Sequence, residues 1–259
     1  MDMAMKKNTT NEPLQKAQSG DTVVYKVMIA LVLTCASLLA LRALRRYYAT
    51  VEGFTALYDL TPTIVIAGLV LAAAAAVLTI VWKNKIVRLV APWFLVAGML
   101  VAATGWNMRE SGISDFPFLY FLCFAVLAQY IIFLLYRWEF FLFSLSTVTA
   151  GGVFLSFSRG LYWTPKNIVV MALLALVVVG TTVCCRVAYH NKGCLPMGKL
   201  RIQLFSPKSA PMLIYIVNVL WLLCAVAVAL LGGLFAYYCM FAAIAVEFIA
   251  AVYYTFQLN

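Results

Sequence analysis

Eight blocks of apolar residues, each long enough to cross a bilayer as a helix, organise this chain; they lie at about 23–43, 62–82, 87–107, 116–136, 139–157, 167–187, 211–231 and 234–256. A helix needs about 20 apolar residues to span the hydrocarbon. Lipid offers a backbone N–H or C=O no partner, so such blocks are confined to structures that satisfy their hydrogen bonds internally. Composition closes off the soluble alternative. Only 11% of the residues are charged and 65% are hydrophobic, whereas a soluble domain carries about 25% charged residues. A soluble fold of this size also exposes too much surface to hide so much apolar area. The sequence predicts an all-α, polytopic integral membrane bundle of about eight transmembrane helices.

The segments between the blocks give an orientation. Residues 1–22 read as a polar, mobile cytoplasmic tail. The block that follows runs too long for the apolar core of a signal peptide and ends in Arg42, Arg45 and Arg46, so it reads as a retained span. Arg137-Trp138-Glu139 makes a very tight turn between the fourth and fifth spans, and Gly232-Gly233 a turn between the seventh and eighth. With the N-terminus inside, thirteen Lys and Arg fall on the cytoplasmic side and six on the other. That bias predicts both termini in the cytoplasm, in a plasma (cytoplasmic) membrane. The formal charge of +10 belongs to these block ends; it reads as a topology signal and as contact with anionic lipid, not as a nucleic-acid surface.

The spacing of several motifs points to a duplication. Leu57-Tyr58 and Thr61-Pro62 open the second span, as Leu161-Tyr162 and Thr164-Pro165 open the sixth. At an offset of 117, Phe118, Tyr120, Phe124, Ala125, Ala128, Ile132 and Tyr136 fall on Phe235, Tyr237, Phe241, Ala242, Ala245, Ile249 and Tyr253. Ala91-Pro92 and Ala210-Pro211 open the third and seventh spans. The expected organisation is a first four-helix repeat at 23–136 and a second at 137–259, which carries a basic cytoplasmic loop at 188–210. An even number of spans per unit relates the halves by an axis along the membrane normal.

Glu247 is the most informative single residue, set mid-span in Ala-Ile-Ala-Val-Glu-Phe-Ile-Ala-Ala. A charge near the bilayer centre costs roughly 2.5–3.5 kcal/mol even on lenient insertion scales, so the side chain is expected to face protein or a water-filled cavity. Ala243, Ala250 and Ala251 flank it on one helix face and give room for a neighbouring helix. The repeat aligns it with Tyr130, beside Gln129, and Thr147 falls at similar depth. These four residues form the candidate intramembrane polar site. It would be either a proton or cation site or a structural carboxyl hydrogen-bonded to a neighbour. Span five, with Ser144, Ser146, Thr147 and Thr149 before Gly151 and Gly152, is the most polar span. Such hydroxyls line a pathway or, more commonly, bond to a preceding carbonyl or across helices. The small-residue runs 68–76 and 97–105 read as close-packed faces.

Lys192, Lys199, Arg201 and Lys208 surround Leu-Arg-Ile-Gln-Leu-Phe, a pattern that suits a segment lying on anionic headgroups. The spacing of Cys185, His190 and Cys194 fits no standard zinc site. No cofactor and no metal are expected. The expected partners are the lipid bilayer and anionic headgroups at the cytoplasmic face, with a second copy of the chain or another membrane subunit as a further possibility. The leading function is a transporter-like permease. The alternative is a non-catalytic membrane subunit or scaffold that packs against a partner protein. A membrane-embedded enzyme ranks last, because the chain has one histidine and no clustered carboxylates.

Overall fold

A computed structural model describes residues 12–81, 85–111, 116–159, 163–191, 193–197, 200–204 and 211–256. The described residues form eight helices: α1 (Glu12–Tyr48), α2 (Val51–Val81), α3 (Lys85–Ser111), α4 (Phe116–Leu135), α5 (Trp138–Arg159), α6 (Pro165–His190), α7 (Met212–Leu231) and α8 (Gly233–Phe256). Among the described residues, seven of them are long and apolar enough to cross a membrane. The eighth, α3, covers the third expected span, but the side chains of its first turns lie outside the described residues. The chain is a multi-pass helical membrane bundle.

Two helices run well past their expected ends. α1 starts at Glu12, so the last part of the polar tail is helical. α2 starts at Val51 and passes through Pro62. A proline inside a helix forfeits one backbone bond, a loss that membrane helices tolerate when side chains re-satisfy nearby groups. Thr61 Oγ1 donates to the carbonyl of Leu57 at 2.7 Å, one residue before the Tyr58 carbonyl that the proline leaves without its helical donor. The start of α6 follows capping rules more closely. Thr164 caps it by accepting from the N–H of Asn167, and Pro165 sits in its first turn, where a missing N–H costs nothing. At the far end of the bundle Gly232 closes α7 with φ 100°, a conformation that suits glycine. Its neighbour Gly233 opens α8 close against α5, where an added Cβ would lie 3.3 Å from the carbonyl oxygen of Phe157.

α5 is the central helix. Of its span 78% is buried, against 11–33% for the other six. The most polar span is therefore the most enclosed, and its chemistry explains how. Ser146 and Thr147 both donate to the carbonyl of Phe143, and Thr149 donates to that of Leu145. Those hydroxyls need no partner outside the helix. Ala150, Gly151 and Gly152 are buried and small, so Phe121 of α4 packs onto a flat patch; an added Cβ would lie 3.7 Å from its ring at Gly151 and 3.2 Å at Gly152. Phe140, Phe143, Phe154, Trp221 and Tyr254 fill the space around α5.

Neighbour relations follow chain order within each half. α1 lies against α2 and α4, α2 against α3, and α3 against α4. In the second half α5 lies against α6, α7 and α8, α6 against α7, and α7 against α8, while α4 joins the halves through α5. The pair α2 and α3 packs most closely, through Gly68, Ala72, Gly98 and Ala102, so the two small-residue runs meet each other.

The basic loop after α6 carries secondary structure of its own. Its middle is a two-stranded antiparallel hairpin, β1 (Cys194–Met197) with β2 (Leu200–Gln203). Leu200, Ile202 and Leu204 alternate with Arg201 and Gln203, the period-two pattern of a strand. Leu204 is buried and donates its N–H to the carbonyl of Gly193 at 2.8 Å, which closes the hairpin, and Gly193 donates its own N–H to the carbonyl of Ala188 at 2.8 Å, which ties it to α6. Arg201 lies on β2; Lys192, Lys199 and Lys208 lie outside the described residues.

Candidate functional site

Three helices converge on Glu247. Ser144 on α5 donates through Oγ to Glu247 Oε1 on α8. Gln129 on α4 donates through Nε2 to Ser144 Oγ at 2.6 Å. Gln129 and Ser144 lie about two turns in from the α4–α5 turn, and so reach the same depth. α8 comes close enough because its facing residues are small: Ala243 and Ala250 are buried, and the Cβ of Ala243 would lie 3.9 Å from a Cβ at Gly151. The other carboxyl oxygen, Oε2, is buried and has no hydrogen-bond partner among the described residues, and the same holds for Gln129 Oε1.

The chain of groups accommodates either protonation state of Glu247. Ionised, the carboxylate accepts from Ser144, which accepts from the Gln129 amide. Protonated, it can donate to Ser144, whose hydroxyl then donates to Gln129 Oε1 once the amide turns over. A single hydroxyl thus links the charge of α8 to the orientation of a side chain on α4.

A groove of about 510 Å³ has Glu247 among its lining residues. Its walls are α4 (Ala128, Ile132), with Tyr136 just past its end, and α8 (Ala243, Glu247, Ala251), and α5 forms its floor through Phe140, Thr147 and Gly151. The small residues leave the space and the rings line it. No lysine, arginine or histidine is among the lining residues. The hydroxyls there are already engaged: Tyr136 Oη pairs with Thr255 Oγ1 at 2.9 Å, and Thr147 Oγ1 donates to Phe143 and accepts from Trp221 Nε1 at 3.2 Å.

Sequence reasoning placed Gln129, Tyr130, Thr147 and Glu247 in one site. The structure joins Gln129 to Glu247 through Ser144 and puts Thr147 in the groove that Glu247 lines. Tyr130 lines a different cavity, of about 300 Å³, together with residues of α1, α3 and α4 such as Thr34, Phe94 and Cys123. Consecutive helical residues point about 100° apart, so Gln129 and Tyr130 serve different neighbours. Cys185 is buried while His190 is exposed at the end of α6.

Two polar contacts on the far side of α5 were not foreseen. Asn218 on α7 donates through Nδ2 to Thr181 and Thr182 on α6, each at 3.0 Å, and Trp221 reaches across to Thr147. A lone asparagine in the apolar run Ile-Val-Asn-Val-Leu-Trp was the available signal, since an amide at membrane depth demands a partner. Comparison with family models, with curated proteins and with solved structures finds no match for the chain.

Proposed function

We propose that the protein is a transporter-like permease and that Glu247 is its proton or cation site. The observation that carries this reading is the groove. A scaffold whose carboxyl served packing alone would seal it in a dry bundle, whereas here a cleft of about 510 Å³ includes Glu247 in its wall. One oxygen of the carboxyl has no hydrogen-bond partner among the described residues, and an acid at membrane depth leans toward function.

The neighbour pattern lends support to a duplicated architecture. Each of the pairs α1–α2, α1–α4, α2–α3 and α3–α4 has its counterpart four helices on, in α5–α6, α5–α8, α6–α7 and α7–α8. Transporters built from parallel repeats hold their sites between the halves, and Gln129 and Ser144 stand on either side of that division. In this reading both termini are cytoplasmic, the membrane is the plasma membrane, and the basic loop rests against anionic headgroups.

The test is reconstitution into sealed vesicles with an imposed pH gradient and a dye inside. A panel of organic cations, amino acids and sugars is added outside. The permease reading expects a solute that collapses the gradient faster with wild-type protein than with Glu247→Gln. Folded protein that moves neither protons nor any solute of the panel supports the scaffold instead.

A further inference from the structure

We infer that the groove between α4 and α8 binds a lipophilic organic cation, held by the Glu247 carboxylate beneath it. The argument is one of elimination among solute types. The groove hydroxyls of Tyr136 and Thr147 are engaged with protein partners. A sugar or a zwitterion entering there would lose water from many polar groups and recover few hydrogen bonds, which is costly. An anion would meet an acid and no lysine, arginine or histidine in the lining. What remains is a solute with an apolar body, and the acid in the wall favours one that carries a positive charge over a neutral one of the same shape.

The walls suit that solute. Phe121, Tyr136, Phe140 and Phe248 line the groove, and ring faces attract cations most strongly where water is excluded. The volume of about 510 Å³ falls within the range of roughly 300–1,000 Å³ found for small-molecule sites. The carboxylate need not touch the ligand, because opposite charges attract over several ångströms in a medium of low polarity.

Cation and proton then compete for one carboxylate, so cation affinity falls as pH is lowered through the titration range of Glu247. Other groups that bear on this titration are few. Just past the end of α4 the groove presents Tyr136; from α5 and α8 its lining holds no second titratable group. Glu139, at the start of α5, accepts from Tyr254 Oη of α8 at 3.4 Å.

The inference rests on the permease reading for movement of the cation but not for its binding, and the experiment separates the two. The full chain in maltoside micelles is dialysed to equilibrium against radiolabelled tetraphenylphosphonium, with empty micelles as the reference. The expected result is saturable, one-to-one uptake that weakens at low pH and falls about tenfold or more in Glu247→Gln. Tetraphenylborate, of the same shape and opposite charge, should show no uptake beyond that of empty micelles. Ala128→Phe, which fills the groove without touching the carboxyl, should also abolish uptake while the protein melts as a folded species. Equal uptake of both ions, or wild-type uptake in both variants, would mean a groove that accepts any hydrophobe and would overturn the inference. Glu247-dependent proton flux in vesicles without phosphonium binding would leave the permease reading standing and sink the ligand class. Binding without any flux would do the reverse.

Discussion

Gly68 on α2 and Gly98 on α3 face each other so closely that a methyl group added to either would meet the other's carbonyl oxygen at 2.8 Å. The backbone nitrogens behind them are nearer still, Ala102 N at 2.6 Å and Ala72 N at 2.7 Å. Backbone cannot yield as a side chain can, so the helices must separate. Gly68→Ala and Gly98→Ala should each cost about 1–3 kcal/mol by overpacking, despite the better helix propensity of alanine. Gly180 on α6 has no heavy atom within 4 Å of an added Cβ, so Gly180→Ala should be neutral or mildly stabilising. Thermal unfolding in detergent compares the three. Equal melting temperatures would mean that α2 and α3 are not packed through this face.

Ser144 is the single hydroxyl between the Gln129 amide and the Glu247 carboxyl. Removing it strands a part-buried donor and a part-buried acceptor, at up to about 1–3 kcal/mol for each group left unsatisfied. Ser144→Ala should therefore lower the melting temperature clearly. Because the two residues share one interaction, the loss in the double variant Ser144→Ala, Glu247→Gln should be smaller than the sum of the single losses. Strict additivity would show that the contact carries no energy.

Membrane orientation is open to a direct check. Reporters fused after residue 20 and after residue 259 should both report the cytoplasm, since thirteen of nineteen basic residues then lie inside. Opposite readings at the two ends would mean an odd number of crossings.

Much of this architecture is legible in the sequence because lipid is a simple solvent: length and apolarity decide where helices cross. The turn at Gly232-Gly233 and the small-residue contact of α2 with α3 belong to the same kind of inference. Azimuth is harder to read. The alignment of Glu247 with Tyr130 gives a depth along the membrane normal, but the side chain that turns toward α5 is that of Gln129. Ser144 could not be singled out from its neighbours Ser146, Thr147 and Thr149, because all four are hydroxyls on one span. Only packing reveals which one faces α8. The hairpin at 194–203 is hidden for another reason: its alternation covers only a few residues, too short a run to stand out from a loop.

The central claim is that Glu247 is a working proton or cation site and not a sealed structural acid. Infrared difference spectra of the reconstituted protein across a pH step test this most directly, because a buried carboxyl has a C=O stretching band distinct from that of solvated acids. The account predicts a band that grows and fades reversibly with pH in the folded wild type, disappears in Glu247→Gln, and shifts in Ser144→Ala, where the carboxyl loses its hydrogen-bond partner on α5. A spectrum without any band assignable to Glu247 across the whole pH range in which the protein stays folded would contradict it.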